Sequence, residues 1–289
     1  MSYPLKIRGL LRTLSTLSEE GRRELSRELR RRASEAERRR SLYRYFPDAG
    51  PLRRELYPRH MEFFAAGGHH EPMSLPACGP GCTGKPHRER LMLAANRIGK
   101  TESVGAYEVA LHATGRYPPW WPGLRFRRPV EIWAAGKKNE TTRDVVQRKL
   151  FGPVTVRGRM KTVDGTGLVP GEDIGGVTWK RGVQDLADMV RVKHRSGGWS
   201  TIGLKSYEQG RGAFEGMEKD LIWFDEEPPG DVYVEALVRT MTTQGHVLLT
   251  FTPLEGMSEV VLMFLPGGAL PPRDEERVTQ VLKTVGYDR

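Results

Sequence analysis

Two cysteines in 289 residues are too few for a secreted scaffold stapled by disulfides. No apolar run approaches the ~18 residues that a transmembrane helix needs. The opening MSYPLKIRGLLRTLSTLSEE lacks a signal-peptide cleavage pattern and soon turns Arg-rich. No internal repeat stands out. These absences point away from membrane and secreted classes and towards the reducing cytoplasm. What is present fits a soluble globular chain. Hydrophobic residues make up 38% and charged residues 28%, and the length suits about one or two domains with a core that needs no staple.

The charge of +10 is unevenly placed. Residues 1–60 carry 16 Lys+Arg against 8 Asp+Glu, so they hold +8 of it, and the remaining 229 residues are nearly balanced. A basic arm on a near-neutral body suits an acidic partner, most simply nucleic acid, although a solvated helix laced with ion pairs explains the charge equally well. Leu25, Leu29, Ala33 and Ala36 form one apolar stripe, which predicts a long amphipathic helix over residues 18–44, broken at Pro47–Pro51. That stripe also suits docking to a partner protein. A shorter helix is expected over RELYPRHMEFFAAGG, then an irregular Gly/Pro/His-rich insertion over 68–88.

From Arg90 onward, apolar strands alternate with helices. The strands are LMLAA, VEIWAAG, MVRVKH, STIGLK, LIWFDEE and HVLLTF; the helices include KTESVGAYEVALHATG, TTRDVVQRKL, DVYVEALVRTMTTQ and GMSEVVLMFL. This alternation predicts an α/β fold with a wound, mostly parallel sheet. The expected organisation is a basic helical segment over 1–50, an α/β domain over 51–270 and a tail over 271–289.

Three strand ends carry the chemistry. AANRIGKT places Gly99, Lys100 and Thr101 between a strand and a helix, the context of a phosphate-binding loop. Gly99 lets backbone N–H groups approach phosphate oxygens, Lys100 reaches the β- and γ-phosphates, and Thr101 offers a hydroxyl to Mg²⁺. Ala94 stands where the usual loop has its first glycine. LIWFDEE ends a buried strand in Asp225, Glu226 and Glu227. Asp225 there would hold Mg²⁺ through water, and Glu226 would take a proton from the attacking water. HVLLTFTP ends in Thr250 and Thr252, a hydroxyl pair able to sense the γ-phosphate.

Taken in order, AANRIGKT, KSYEQGRGAFEG with LIWFDEEPP, and LLTFTPLEGMSEVV resemble the ATPase half of the large terminase subunit of tailed bacteriophages. HATGRYPPWWPGLRFRRP and TTRDVVQRKLFGP fit the same resemblance, which runs from about Leu56 to Leu265. It implies an additional-strand, RecA-like P-loop ATPase that drives double-stranded DNA into a preformed capsid. Nucleotide contacts would come from Ala95, Asn96, Arg97, Ile98, Gly99, Lys100 and Thr101, with Asp225 on Mg²⁺, Glu226 as base, and Thr250 and Thr252 as the coupling motif. Arg97 matches the arginine that family members often carry inside the loop. A further arginine would reach a neighbouring subunit's nucleotide, with Arg211 and Arg143 as candidates. On the adenine side, LYPRHMEFF offers Tyr57, Arg59 and His60 where the family often has glutamine. The implied partners are DNA, a portal protein, a small terminase subunit and further copies in a ring, a pentamer in the family. The implied place is the host cytoplasm, docked transiently on the procapsid, with no membrane.

Family members usually continue into an RNase H-like nuclease domain. The 37 residues after Thr252 cannot house one, so DNA cutting is not assigned to this sequence. Two rivals remain: a two-lobed helicase, for which a second lobe of ~150 residues is missing, and a DNA-binding scaffold with a decayed loop, which Ala94 favours slightly. Cys78 and Cys82, with His69, His70 and His87 nearby, offer a Cys₂His₂ set for zinc, although the spacing matches no known finger and a loop with free thiols accounts for it more simply.

Overall fold

Apolar and β-branched runs build nine strands among the residues described by the computed structural model, which are 18–27, 41–75, 82–95, 98–253 and 258–265. In chain order they are β1 (Glu89–Leu93), β2 (Glu131–Gly136), β3 (Val154–Arg157), β4 (Met160–Val163), β5 (Ile174–Trp179), β6 (Ala187–Lys193), β7 (Trp199–Ser206), β8 (Leu221–Asp225) and β9 (His246–Phe251). Seven share one sheet in the order β1-β9-β8-β2-β7-β6-β5, and β3 and β4 form a separate hairpin. The pairs β1–β9, β9–β8, β8–β2 and β2–β7 are parallel; β7–β6 and β6–β5 are antiparallel. Every residue of β8 and β9 is buried, as expected for central parallel strands covered on both faces.

Among the described residues after position 50, five α- or π-helical stretches flank the sheet. They are α1 (Pro58–Ala66), with proline at its first position; α2, which opens in wide π-type turns (Lys100–Ala106) and continues as Tyr107–Thr114; α3, running through Asn139–Thr141, Thr142–Gln147 and Arg148–Phe151; α4 (Gly230–Met241); and α5 (Glu259–Phe264). Side chains alternate between the two faces of a strand. Leu221, Trp223 and Leu248 pack with α2 residues Val104, Val109 and Ala110, whereas Ile222, Phe224, Val247 and Leu249 pack with Val232 and Tyr233 of α4 and Val260 of α5. The same alternation puts Asp225 and Thr250 on the α2 face, where the phosphate loop lies.

Two devices fix α2 on the sheet. Arg90 of β1 and Glu108 of α2 form a buried pair, with Nη2 to Oε1 at 2.6 Å and Nη1 to Oε2 at 3.1 Å. The strand before the phosphate loop is thereby tied to the helix after it. His246 of β9 lies beside Arg90; burial and that positive charge lower its pKa to about 3, so the ring stays neutral. The second device is Gly105, where an added Cβ would fall 2.1 Å from Trp223 Nε1. Gly105→Ala ordinarily favours a helix, but here it must push α2 off the sheet. The substitution is expected to destabilise by about 1–3 kcal/mol, read by denaturant unfolding; a variant as stable as wild type would show that the contact is not tight.

Several expectations shift. Residues 19–27 and Ser41–Arg44 are helical, and 28–40 of the expected long helix lie outside the described residues, as do 1–17 and 266–289. Leu42 and Phe46 are buried in the same core as α2, so packing continues across position 50. The first strand is Glu89–Leu93 rather than LMLAA. Ala94 still donates to Phe251 O at 3.3 Å, but its carbonyl is taken by the Thr252 hydroxyl, and the chain leaves the sheet there. The β3–β4 hairpin and β5 were not anticipated.

Candidate nucleotide-binding site

Gly99 precedes α2 with a left-handed backbone (φ 88°, ψ 8°), a conformation that glycine takes without strain. A Cβ there would also meet Ser103 Oγ at 2.7 Å. Ser103 in turn donates to Gly99 O at 2.7 Å and meets His60 Nε2 at 3.0 Å. His60 is buried, which lowers its pKa, so its neutral ring braces the turn from behind. Lys100 follows, only 6% exposed. Its Nζ donates to Thr252 Oγ1 at 2.7 Å, and Thr252 donates to Ala94 O at 2.8 Å.

The carboxylates arrive from β8. Its parallel register with β9 sets Asp225 opposite Thr250. Trp223 Nε1 donates to Thr250 Oγ1 at 2.8 Å, and Thr250 donates to Asp225 Oδ1 at 3.1 Å. The Thr101 hydroxyl also hydrogen-bonds Asp225. Burial raises the Asp225 pKa to about 7 and the Glu226 charge adds to the rise, against hydrogen bonds from Thr101 and Thr250 and the charge of Lys100. Asp225 and Thr101 fit Mg²⁺: both offer hard oxygen donors, and a buried carboxylate near neutrality is one that a divalent cation would ionise.

Because the folded-state pKa lies above the ordinary 3.8, the folded protein keeps a proton on Asp225 that the unfolded chain loses. Stability of the nucleotide-free protein therefore falls as pH rises from about 4 to about 7. Asp225→Asn removes that penalty. It is expected to stabilise by roughly 1–4 kcal/mol near pH 8 and to change little near pH 3. Urea unfolding at the two pH values measures this, and an equal effect at both would contradict the raised pKa.

Glu226 has φ 71°, a backbone region that costs a non-glycine residue about 1–3 kcal/mol. The surroundings hold it there. Its N–H donates to Thr250 O at 3.1 Å, and its carbonyl accepts from Tyr207 OH at 2.9 Å. Tyr207 reaches the Asp225 carbonyl at 2.9 Å as well. The bend takes Glu226 out of the strand's alternation and leaves it half-buried beside Asp225. Glu227 is engaged differently. It accepts a hydrogen bond from Ser258, whose oxygen caps α5 by accepting from Val261 N at 3.2 Å.

Beside the loop lies a cavity of about 210 Å³ walled by Tyr45, Phe46, Leu52, Tyr57, Ile98 and Gly99. Tyr57 thus lines it, whereas His60 stands behind Ser103. Tyr45 and Leu52 come from the segment before α1. Glu102 at the rim is hydrogen-bonded by Tyr45 and Lys149; burial opposes its ionisation, but these bonds outweigh it and hold its pKa below the ordinary value. Ala95 and Ile98 are exposed on the loop, and Asn96 and Arg97 lie outside the described residues. Arg211 pairs with Glu235 at 3.0 Å, and Arg143 with Asp144 at 2.7 Å and Gln184 O at 3.2 Å. None of these partners belongs to the phosphate-loop group.

A Gly-Lys-Thr turn between strand and helix, with one strand inserted before the carboxylate strand, defines a P-loop NTPase of the additional-strand class. Comparison with known proteins narrows the class. The profile of the family "Terminase large subunit, T4likevirus-type, N-terminal" matches residues 91–285, and the chain belongs to that family. It is 39% identical over 201 residues to the terminase large subunit of Salmonella phage P22, a match covering 63% of this chain and 39% of that one. The chain thus spans about two fifths of that relative's length. Among solved structures, the large terminase of a thermophilic bacteriophage superposes with a TM-score of 0.43 at 13% identity, covering 67% of this chain and 38% of that one. The same terminase in complex with ADP gives 0.36 at 14% identity, covering 56% and 32%.

Proposed function

We propose that this chain is the ATPase motor of a phage DNA-packaging machine, which hydrolyses ATP to move double-stranded DNA into a preformed capsid. The observation that carries the reading is the convergence of Lys100, Thr101, Asp225, Thr250 and Thr252 at the ends of three adjacent elements, with Glu226 bent in beside them. Membership of the terminase family, and the P22 relative named as a terminase large subunit, support packaging as the use of that site.

In this reading the Lys100 ammonium and the N–H groups at the start of α2 hold the β- and γ-phosphates. Thr101 and Asp225 would hold Mg²⁺, which when bound would supply positive charge against the phosphate oxygens. Glu226 takes the proton of the attacking water as its oxygen bonds to the γ-phosphorus. The bond to the β-phosphate oxygen breaks, and ADP leaves with that electron pair. Tyr57 and Tyr45 face the base; His60 acts through Ser103 on the shape of the turn. Thr252 touches Lys100 and Thr250 touches Asp225, so a change in either phosphate contact reaches β9. This is the physical content of coupling here.

An arginine from a neighbouring copy in a ring would complete the site. Arg211 suits that role better than Arg143: its side chain is 60% exposed against 28%, and Glu235 keeps a second cation, Arg239, at 2.7 Å when Arg211 leaves. Rings mixing Arg211→Ala with Glu226→Gln subunits test this, since the fall in rate differs if the two act across one interface. The partners in this reading are duplex DNA, a portal protein and a small terminase subunit, met in the host cytoplasm at the procapsid. The decisive assay supplies procapsids, linear duplex DNA and ATP, and counts DNA protected from DNase. Protection that requires this chain and ATP is expected. Unwinding of the duplex, or ATP hydrolysis without any protected DNA, would overturn the packaging reading.

A further inference from the structure

His70, Cys82 and His87 lie in the loop between α1 and β1, away from the carboxylates of β8. One ligating atom from each falls within 4.8 Å of the others. Cys82 Sγ and His70 Nε2 are 3.4 Å apart. Zinc binds sulfur at about 2.3 Å and imidazole nitrogen at about 2.0–2.1 Å, so two such ligands of a tetrahedral ion stand roughly 3.5 Å apart. His70 Nδ1 is bonded to Gly68 O at 3.1 Å. That bond puts the ring proton on Nδ1 and leaves the Nε2 lone pair towards the sulfur, the outer-shell arrangement that orients metal-bound histidines. His87 Nε2 is buried with no hydrogen-bond partner among the described residues. A buried polar atom left so is costly, and a metal bond would remove that cost.

The backbone holds the group together. His70 N–H donates to Gly84 O at 3.0 Å, and His87 N–H donates to Ala66 O at 2.8 Å. A Cβ on Gly84 would fall 2.2 Å from His70 O, so glycine is needed where the loop closes on itself. His69 is exposed and outside the cluster.

We propose that His70, Cys82 and His87 form a zinc site. On binding, the Cys82 thiol releases its proton to solvent, and one thiolate and two neutral imidazoles coordinate the ion. This nitrogen and sulfur set selects zinc over the magnesium suited to the oxygen donors of Thr101 and Asp225. His87 lies two residues before β1, so the ion would pin the chain that enters the strand leading to the phosphate loop. Cys78 lies outside the described residues and is no part of the proposal.

The test uses the tag-free chain dialysed against micromolar zinc, with bound metal measured by mass spectrometry and affinity by competition with a chromophoric chelator. About one zinc per chain is expected. Cys82→Ser and His87→Ala should weaken zinc affinity by at least ~100-fold, beyond the loss from outer-shell changes, while His69→Ala should not. Cobalt substituted into the wild-type chain should show a thiolate charge-transfer band, a readout that does not depend on a variant folding. A wild-type chain with no tightly bound zinc, no such cobalt band, or unchanged affinity in both folded variants would overturn the site.

Discussion

Glu226→Gln is expected to leave nucleotide binding intact and to slow ATP turnover by roughly 10²–10⁴-fold, the usual worth of a positioned general base. The substitution keeps size and hydrogen-bonding reach and removes only the ability to take a proton. It also keeps the backbone clamp, because the bonds from Thr250 and Tyr207 involve the main chain of residue 226. Glu227→Gln is the informative control. Its carboxylate is engaged by Ser258 at the cap of α5, so its loss should loosen that helix without stopping chemistry. Normal turnover in Glu226→Gln together with a dead Glu227→Gln would move the base by one residue.

Lys100→Ala should cost nucleotide affinity by roughly 10²–10⁴-fold, from about 3–6 kcal/mol for two charge-assisted hydrogen bonds to phosphate oxygens. The fold should survive. Thr252 keeps its own bond to Ala94 O when the ammonium is gone, so β9 and the loop stay linked. Titration with a fluorescent ATP analogue measures the loss. Affinity within tenfold of wild type would mean that the phosphates sit elsewhere.

The central sheet was legible because its strands are short apolar runs set between turn residues and amphipathic helices. LIWFD and HVLLTF read as buried strands, and both are buried throughout. The failures have local causes. β5 contains Gly175 and Gly176, and β3 and β4 are only four residues each, with Val156 and Met160 exposed rather than buried, so neither offers a long apolar run. At the site, Lys100, Thr101, Asp225 and Glu226 could be named from spacing because phosphate chemistry dictates residue types at fixed offsets. Tyr207 and Trp223 could not. An aromatic within an apolar segment reads as core, and only the fold shows their polar atoms spent on the backbone of Glu226 and the hydroxyl of Thr250. The cavity walls Tyr45 and Leu52 were hidden for another reason. They flank the expected domain boundary, and long-range packing alone brings them to the loop.

The most direct test is steady-state phosphate release from Mg·ATP by the full chain, with and without duplex DNA, beside Glu226→Gln. The account predicts release that requires Mg²⁺, rises with duplex DNA and falls at least ~100-fold in the variant. Release at the level of Glu226→Gln under every condition, with ATP still bound, would contradict it and leave a nucleotide-binding scaffold without a motor.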